Sequence, residues 1–508
     1  MFSDKVAPEN LSTKRLDSDF YRPEYIEIDN TLSNLNCVKL GTIGKFFTGP
    51  FGSLLPSNLY LNEGIPLFRV GNVGQFEALS ENFAYLAPSV HEQLKVSEVV
   101  AGDLLLVKAS VGEKICKVPE WLPKANITQH IIGIRPNQSK DTDYISAFLF
   151  CYYGVGQLQR YSLGSIIQYL GITDAKDVNL YSPDPLVQKY IGDKVRQAEQ
   201  LRAWAKRLAL SIEDLLTSSD DYLSACRTPE KKITRPQLSD LSNRLDPKYY
   251  GNKAIAVHRF TRKTGMPLAT LITSVANGFE ERSFIENGLA YITVSEVSSG
   301  RLDAQSAPKI SKSIDVPQKA VIHETCVLVV RTGSIGTAVK VHALDKGCAI
   351  SSHLIRLEFE DEETAAAVAV FLNSSAGKVL LHKISYGAVQ PQIGQEELLA
   401  LNIPEYVLNE KTQCLALLNS YELAIRASKS LTVSAKNLVE ALIKGQLTEQ
   451  QLIQAQLALE DGDNSLDQAI LSKLSAEGYA IEGATPLFSD VDELYSLLEE
   501  AAQAEAEE

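Results

Sequence analysis

Cysteine is scarce and unpaired in this 508-residue chain. The seven residues (Cys37, Cys116, Cys151, Cys226, Cys326, Cys348, Cys414) are odd in number, widely scattered and free of any C-x-x-C. That excludes a disulfide framework and a cysteine-rich zinc site, and it suits a reduced, cytoplasmic protein. No apolar run reaches the roughly 18 residues of a membrane span. The first twenty residues carry charges throughout and lack an apolar core, so no secretory leader is expected. Catalytic signatures are missing too. There is no G-x-x-x-x-G-K-[ST] loop and no H-E-x-x-H. A glycine-rich cofactor loop with an N/D/S-P-P-aromatic string, as an amine methyltransferase needs, is also absent. Residues 181–185 (Tyr-Ser-Pro-Asp-Pro) come nearest but lack the paired prolines. Asp184 with Lys189 invites a nuclease reading, yet no further acid supports it. No catalytic residue, metal site or resident cofactor is assigned.

The net charge of −14 is unevenly spread. Residues 460–508 hold fourteen acids against Lys473 alone, a net of −13 that leaves −1 for everything else. Residues 227–263 hold ten bases against three acids, a stretch suited to phosphates or to a solvated linker. Residues 36–186 sum to −1 and 264–405 to −5, so neither main body is basic.

What the chain does contain is itself, twice. Arg15-Leu16-Asp17 with Phe20-Tyr21 returns as Arg244-Leu245-Asp246 with Tyr249-Tyr250. Residues 64–73 return at 288–297. Val107-Lys108 and Ser110-Val111-Gly112 return as Val330-Arg331 and Ser334-Ile335-Gly336, and residues 127–132 as 350–355. The offsets drift only from 229 to 221, in unbroken order. A period this long means two copies of a whole domain. In each, short strand-like runs (65–73, 103–108, 131–135; 291–297, 327–331, 354–359) alternate with turns, and one helix follows (144–158; 363–381).

Each copy ends in a helical stripe. Cys414, Leu417, Tyr421, Ala424, Ser428, Leu431, Ala435, Leu438 and Leu442 are spaced strictly 3-4-3-4. The same register falls on Val187, Tyr190, Lys194, Gln197, Leu201, Trp204, Leu208, Ser211 and Leu215. Such spacing marks a coiled-coil seam, against the wider face of a helix lying on its own domain. Antiparallel pairing places one domain at each end, about a pseudo-twofold, with Trp204 opposite Ala424 and Leu208 opposite Tyr421. Lys194, Gln197 and Ser428 either weaken the seam or fix its register. Each stripe is about 43 Å long, the scale of one turn of B-DNA, about 34–36 Å.

The expected architecture is α+β. It comprises a lead-in (1–36), a first mixed α/β domain (37–186) and its helix (187–226). A basic linker (227–264), a second domain (265–405) and its helix (406–448) follow. The acidic tail (449–508) holds short helices near 465–475 and 491–502. It reads as an exposed appendage, or as a segment that docks on a basic partner or covers a DNA groove.

Lys108 and Arg331 each leave an apolar strand just before a small, flexible turn that holds Ser110 or Ser334. A cation there suits a phosphate or guanine O6/N7; a plain surface charge is the rival. His130 and His353, flanked by Gln129 and Ser352, either reach a base edge or hold a neighbouring turn. Gln168, Gln390 and Gln392 lie in matching loops where an amide suits adenine. Arg69 and Asn72 differ from their counterparts Thr293 and Glu296, as sequence-reading positions should, and as drift would also leave them.

The two-copy layout, the R-L-D-x-x-F/Y-Y lead-ins, the Q-H-I-I and S-H-L-I segments, the approach from Ile393 to Pro404 and the exit at residues 441–448 resemble a type I restriction-modification specificity subunit. The resemblance covers residues 12–448. The basic connection at 227–263 and the tail depart from the pattern. The resemblance implies two target-recognition domains that read a split, asymmetric double-stranded DNA site, and no catalysis in this chain. It also implies two docked DNA methyltransferase subunits that bind S-adenosylmethionine and methylate adenine. A restriction-translocation subunit is a further partner, and no membrane is involved. Two alternatives stay open, a defence-complex scaffold without base reading and, less favoured, a self-contained restriction enzyme.

Overall fold

The computed structural model describes residues 8, 11, 15–109, 111–112, 114–138, 140–164, 169–387 and 389–507. It divides into two compact units, Met1–Arg202 with Arg426–Glu508, and Ala203–Ile425.

The first unit is built on two four-stranded sheets. In one, Leu104–Val107 lies between Ile131–Pro136 and Ile115–Lys117, and Gly44–Thr48 pairs with the far side of Ile131–Pro136, all antiparallel. Leu104, Leu105, Leu106, Ile131, Ile132 and Ile134 are fully buried. A strand covered on both faces needs such an unbroken apolar run. The second sheet centres on Ile65–Phe68, parallel to Ala125–Ile127 and antiparallel to Ala84–Leu86.

The second unit repeats this plan. Leu354–Phe359 lies between Ile272–Asn277 and Cys326–Val330, which pairs onward with Ala338–Lys340. Leu289–Ile292 runs parallel to Ala349–Ile350, as its counterpart does. The duplication read from the sequence is thus a duplication of topology.

The single helix expected in each copy is a broken pair. Thr142–Phe150 gives way at Cys151 to Tyr152–Tyr161, and Glu362–Asn373 gives way at Ser374 to Ser375–Ile384, with a bend of 79° in the second case. Glycine makes both corners possible. A Cβ on Gly154 would lie 2.1 Å from the Phe148 carbonyl oxygen, and one on Gly377 2.2 Å from that of Phe371.

The R-L-D lead-ins cap these pairs. Arg244 is held by Asp246 and donates to the carbonyls of Ile384 and Ser385, both at 2.7 Å. Arg15, held by Asp17, donates to the carbonyl of Tyr161 at 3.2 Å. Each guanidinium satisfies carbonyls that a helix end leaves unpaired. Tyr21 and Tyr250 return a hydroxyl bond to the carbonyls of Arg15 and Arg244. The basic connection adds a pair of its own. It contains the helix Asn252–Thr264 and the bidentate Arg259–Asp240 pair.

The stripes are continuous helices, Pro185–Thr217 and Lys411–Ile443, of 33 residues each. The first unit holds residues 185–202 and 426–443, the second 203–217 and 411–425. Each unit groups the start of one helix with the end of the other, the antiparallel grouping expected of the stripes. Leu201, Leu431, Leu438 and Leu442 are buried in the first unit, as are Trp204 and Ala424 in the second. Leu208, Leu215, Leu417 and Tyr421 are half-buried there, and Ser211 is exposed, bonded back to the Arg207 carbonyl.

The tail is not an exposed appendage. Helices Glu449–Glu460, Ser465–Leu471 and Val491–Ala506, with a hairpin at Leu474–Ser475 and Gly478–Tyr479, bury Leu452, Leu471, Leu474, Leu494 and Ala501 in the first unit. Apolar residues at helical spacing sit between the acids, so charge count alone misreads the segment. Asn437 donates to the Ser475 carbonyl at 2.7 Å, Ser430 to that of Leu487 at 3.1 Å, and Tyr181 to Glu449 at 2.8 Å. Lys194, a polar interruption of the stripe, is fully buried and paired with Asp467 of this segment.

Candidate nucleic-acid interface

Each unit gathers three features at the end of its central strand. Lys108 follows Leu104–Val107, and its backbone N–H donates to the His130 carbonyl at 2.9 Å. Arg331 follows Cys326–Val330 and donates likewise to the His353 carbonyl, also at 2.9 Å. Their own carbonyls accept from Leu170 and Ile393, again at 2.9 Å. The loop before each acceptor is pinched by a reciprocal backbone pair, Leu163 with Tyr169 and Tyr386 with Gln392. Cation, histidine turn and pinched loop are therefore one motif built twice, by bonds of matching length.

The side chains differ between copies. Lys108 is 7% exposed, with its ammonium 5.5 Å from the centre of the Tyr169 ring, and burial lowers its pKa below the ordinary lysine value. Arg331 is half-buried, and its guanidinium reaches the Ser352 carbonyl at 3.3 Å. His130, His353, Ser334 and Gln390 are exposed, whereas Gln129, Ser352 and Gln392 are half-buried. Both histidines sit in turns just ahead of their strands, which begin at Ile131 and Leu354. Ser110 and Gln168 lie outside the described residues. By its backbone pairing, Gln392 corresponds to Tyr169. Sequence reasoning passed over Tyr169 and the exposed Tyr386; their signal was an aromatic in a loop with no core to fill.

Asn72 requires a correction. It is 2% exposed, and its amide is committed to its own loop. Its oxygen accepts from the Arg69 N–H at 3.1 Å, and its NH2 donates to the carbonyls of Leu79 and Glu81 at 3.1 and 3.2 Å. In the second unit Glu296 closes the equivalent turn, accepting from the backbone and hydroxyl of Thr293, both at 2.7 Å. The difference between the copies is two ways of closing one turn, and base reading is withdrawn for Asn72. Arg69 points its guanidinium at the Asn82 carbonyl. The Asp184–Lys189 pair is structural as well. Asp184 accepts from the Leu186 N–H at 2.8 Å, and Lys189 bridges Asp193 and Glu460.

Beside this interface the first unit has a recess of about 560 Å³, lined by Leu55, Tyr60, Val70, Arg69, Glu81, Gln129 and His130. Gln129 accepts from the Gly52 N–H at 3.2 Å, and its NH2 lies 3.1 Å from Nε2 of His130. Among the described residues no group of three metal-ligating side chains occurs, and no single helix is long and apolar enough to cross a membrane.

No protein-family model and no curated protein matches the chain. Among solved structures it is similar to the S subunit of a type I restriction-modification system from M. genitalium. That match has 13% identity and a TM-score of 0.44, and covers 80% of this chain and 96% of that one. It is also similar to the HsdS subunit from Thermoanaerobacter tengcongensis, at 15% identity and a TM-score of 0.28, covering 81% and 97%. A third match, to a structure of an assembled type I restriction-modification system, has 14% identity and a TM-score of 0.27, covering 83% and 97%.

Proposed function

We propose that this chain is the non-catalytic specificity subunit of a type I restriction-modification or related phage-defence methyltransferase complex. Its two units each read one part of a split, asymmetric site on double-stranded DNA. The observation that carries this reading is the doubled motif. Lys108 with His130 and Arg331 with His353 stand at the same strand end, in the same bond pattern, in two units whose loops differ. A repeated frame with divergent exposed side chains suits two related readers of two different sequences. Arg331, Ser334, Ser352, His353, Gln390 and Gln392 are the second reader's candidates. Lys108, Gln129, His130 and Arg69 are the first's.

In this reading the long helices dock DNA methyltransferase subunits, two by the symmetry of the repeat. Those subunits bring S-adenosylmethionine and the adenine-methylating chemistry, and a restriction-translocation subunit completes the assembly. The domain limits that go with it are 37–186 and 265–405 for the readers and 187–226 and 406–448 for the helices.

Methylome sequencing of cells with and without this chain tests the proposal. The expected result is a split motif with an unspecified spacer, lost with the chain. Exchanging residues 37–186 for those of another such subunit should change one half of the motif alone. A change in both halves, or in neither, refutes the two-reader model.

A further inference from the structure

The recess of the first unit is concave, which is the wrong shape for reading a stacked base pair. Base edges in a groove are reached by protruding elements such as helices, ribbons and loop tips. A cavity of about 560 Å³ falls in the range that encloses small ligands, about 300–1,000 Å³. Leu55, Tyr60 and Val70 give it apolar surface, and its polar lining includes the donors Arg69 and the Gln129 amide and one carboxylate, Glu81. Oε1 of Gln129 is already taken by Gly52, while its NH2 faces the recess beside His130. Nε of Arg69 is buried with no hydrogen-bond partner among the described residues. Such a lining suits a flat ligand that brings acceptors to Arg69 and Gln129 and a donor to Glu81.

We propose that this recess takes one unstacked nucleotide whose base carries an exocyclic oxygen, guanine or thymine in preference to adenine. Leu55, Tyr60 and Val70 cover the ring faces, Arg69 and Gln129 meet the carbonyl and the phosphate, and Glu81 accepts from the ring N–H that guanine and thymine carry beside that carbonyl. The inference rests on the DNA-reading proposal for its preferred source, an extruded nucleotide of the bound DNA. A free nucleotide offers the same chemistry. In the second unit Thr293 stands where Arg69 does, so the guanidinium donor belongs to one reader.

Gly71 provides the test. It lines the recess, and a Cβ built on it meets no heavy atom within 4 Å, so the side chain of Gly71→Phe starts from open space at the recess. Gly52→Leu, at the rim, is a second plug, since its added Cβ finds only the Gln129 amide at 4.0 Å. The full-length chain would be titrated with dGMP, dTMP and dAMP, and with short duplexes that are fully paired or carry one unpaired guanosine. Because extrusion is already paid for in the bulged duplex, it should bind about tenfold more tightly than the paired one. Either plug should erase that preference while leaving paired-duplex binding intact. Binding of dGMP and dTMP over dAMP, without any bulge preference, assigns the recess to a free nucleotide. If no probe binds at about 1 mM, or if a folded plugged variant binds every probe like the parent, the proposal is overturned. A chain that directs no split methylation motif but still binds dGMP loses the DNA-reading proposal and keeps the pocket.

Discussion

The ammonium of Lys194 lies 2.7 Å from Oδ2 of Asp467, although 273 residues separate them and both are almost fully buried. The phenols of Tyr190 and Tyr495 complete the carboxylate's shell. Burial alone would raise the Asp467 carboxyl, but Lys194 and the two hydroxyls hold it below its usual value.

Breaking this pair from one side strands a buried charge. Asp467→Asn is expected to cost about 3–5 kcal/mol, whereas replacing both partners by apolar groups recovers most of that loss. Denaturant unfolding of Asp467→Asn, Lys194→Met and the double variant Lys194→Met/Asp467→Leu would measure it. Additive losses in the double variant would disprove the coupling.

The two lead-in arginines should behave alike. Arg244→Ala removes two charge-assisted bonds to helix-end carbonyls, each worth about 1.5–3 kcal/mol at most when buried, and less here because the guanidinium is partly exposed. Hydrogen exchange should speed up at Ser375–Ile384 in Arg244→Ala and at Tyr152–Tyr161 in Arg15→Ala. Unchanged protection would show that the caps are idle.

Acid should weaken the second unit first. Burial, with help from Lys383 and Arg262, pushes His258 down to about 4 from an ordinary 6.5. Between those values the unfolded chain binds a proton that the folded chain refuses, so stability falls as the pH falls from 6.5 towards 4. Lys383, pushed down to about 8 from 10.5 by burial and then by Arg244, has the same sign, and stability rises from pH 8 to 10.5. Melting temperature against pH should flatten in the acid window for His258→Leu. An unaltered slope would refute the assignment.

Arg331→Ala should lower the salt dependence of DNA binding by about 0.9 in the log-log slope, the value of one lost phosphate contact. Lys108→Ala should change it less, because that ammonium is buried against Tyr169. Equal slopes in both variants would place Lys108 at the phosphates as well.

How much of this was legible beforehand depended on periodicity. The long helices were visible because a 3-4-3-4 stripe survives any tertiary context. Their observed limits, Pro185–Thr217 and Lys411–Ile443, bracket the stripes closely. The duplication was visible because colinear matches need no structure. The corners at Cys151 and Ser374 were not, since a break closed by a glycine's missing side chain leaves no apolar signature. The tail was misread for a related reason. Composition counts acids but cannot show that Asp467 faces inward to a lysine on a distant helix. The buried bracket formed by Asn72 was likewise invisible, because a divergent residue looks the same in the sequence whether it reads DNA or closes a turn.

The division of the chain bears on the order of its birth. The second unit is one uninterrupted stretch, Ala203–Ile425, and is complete as soon as that stretch leaves the ribosome. The first unit joins residues 1–202 to 426–508, so its earlier part must wait for the later, with Lys194 lacking its counter-ion until Asp467 emerges. A stop codon between Ile425 and Asp467 would therefore injure the first unit and spare the second.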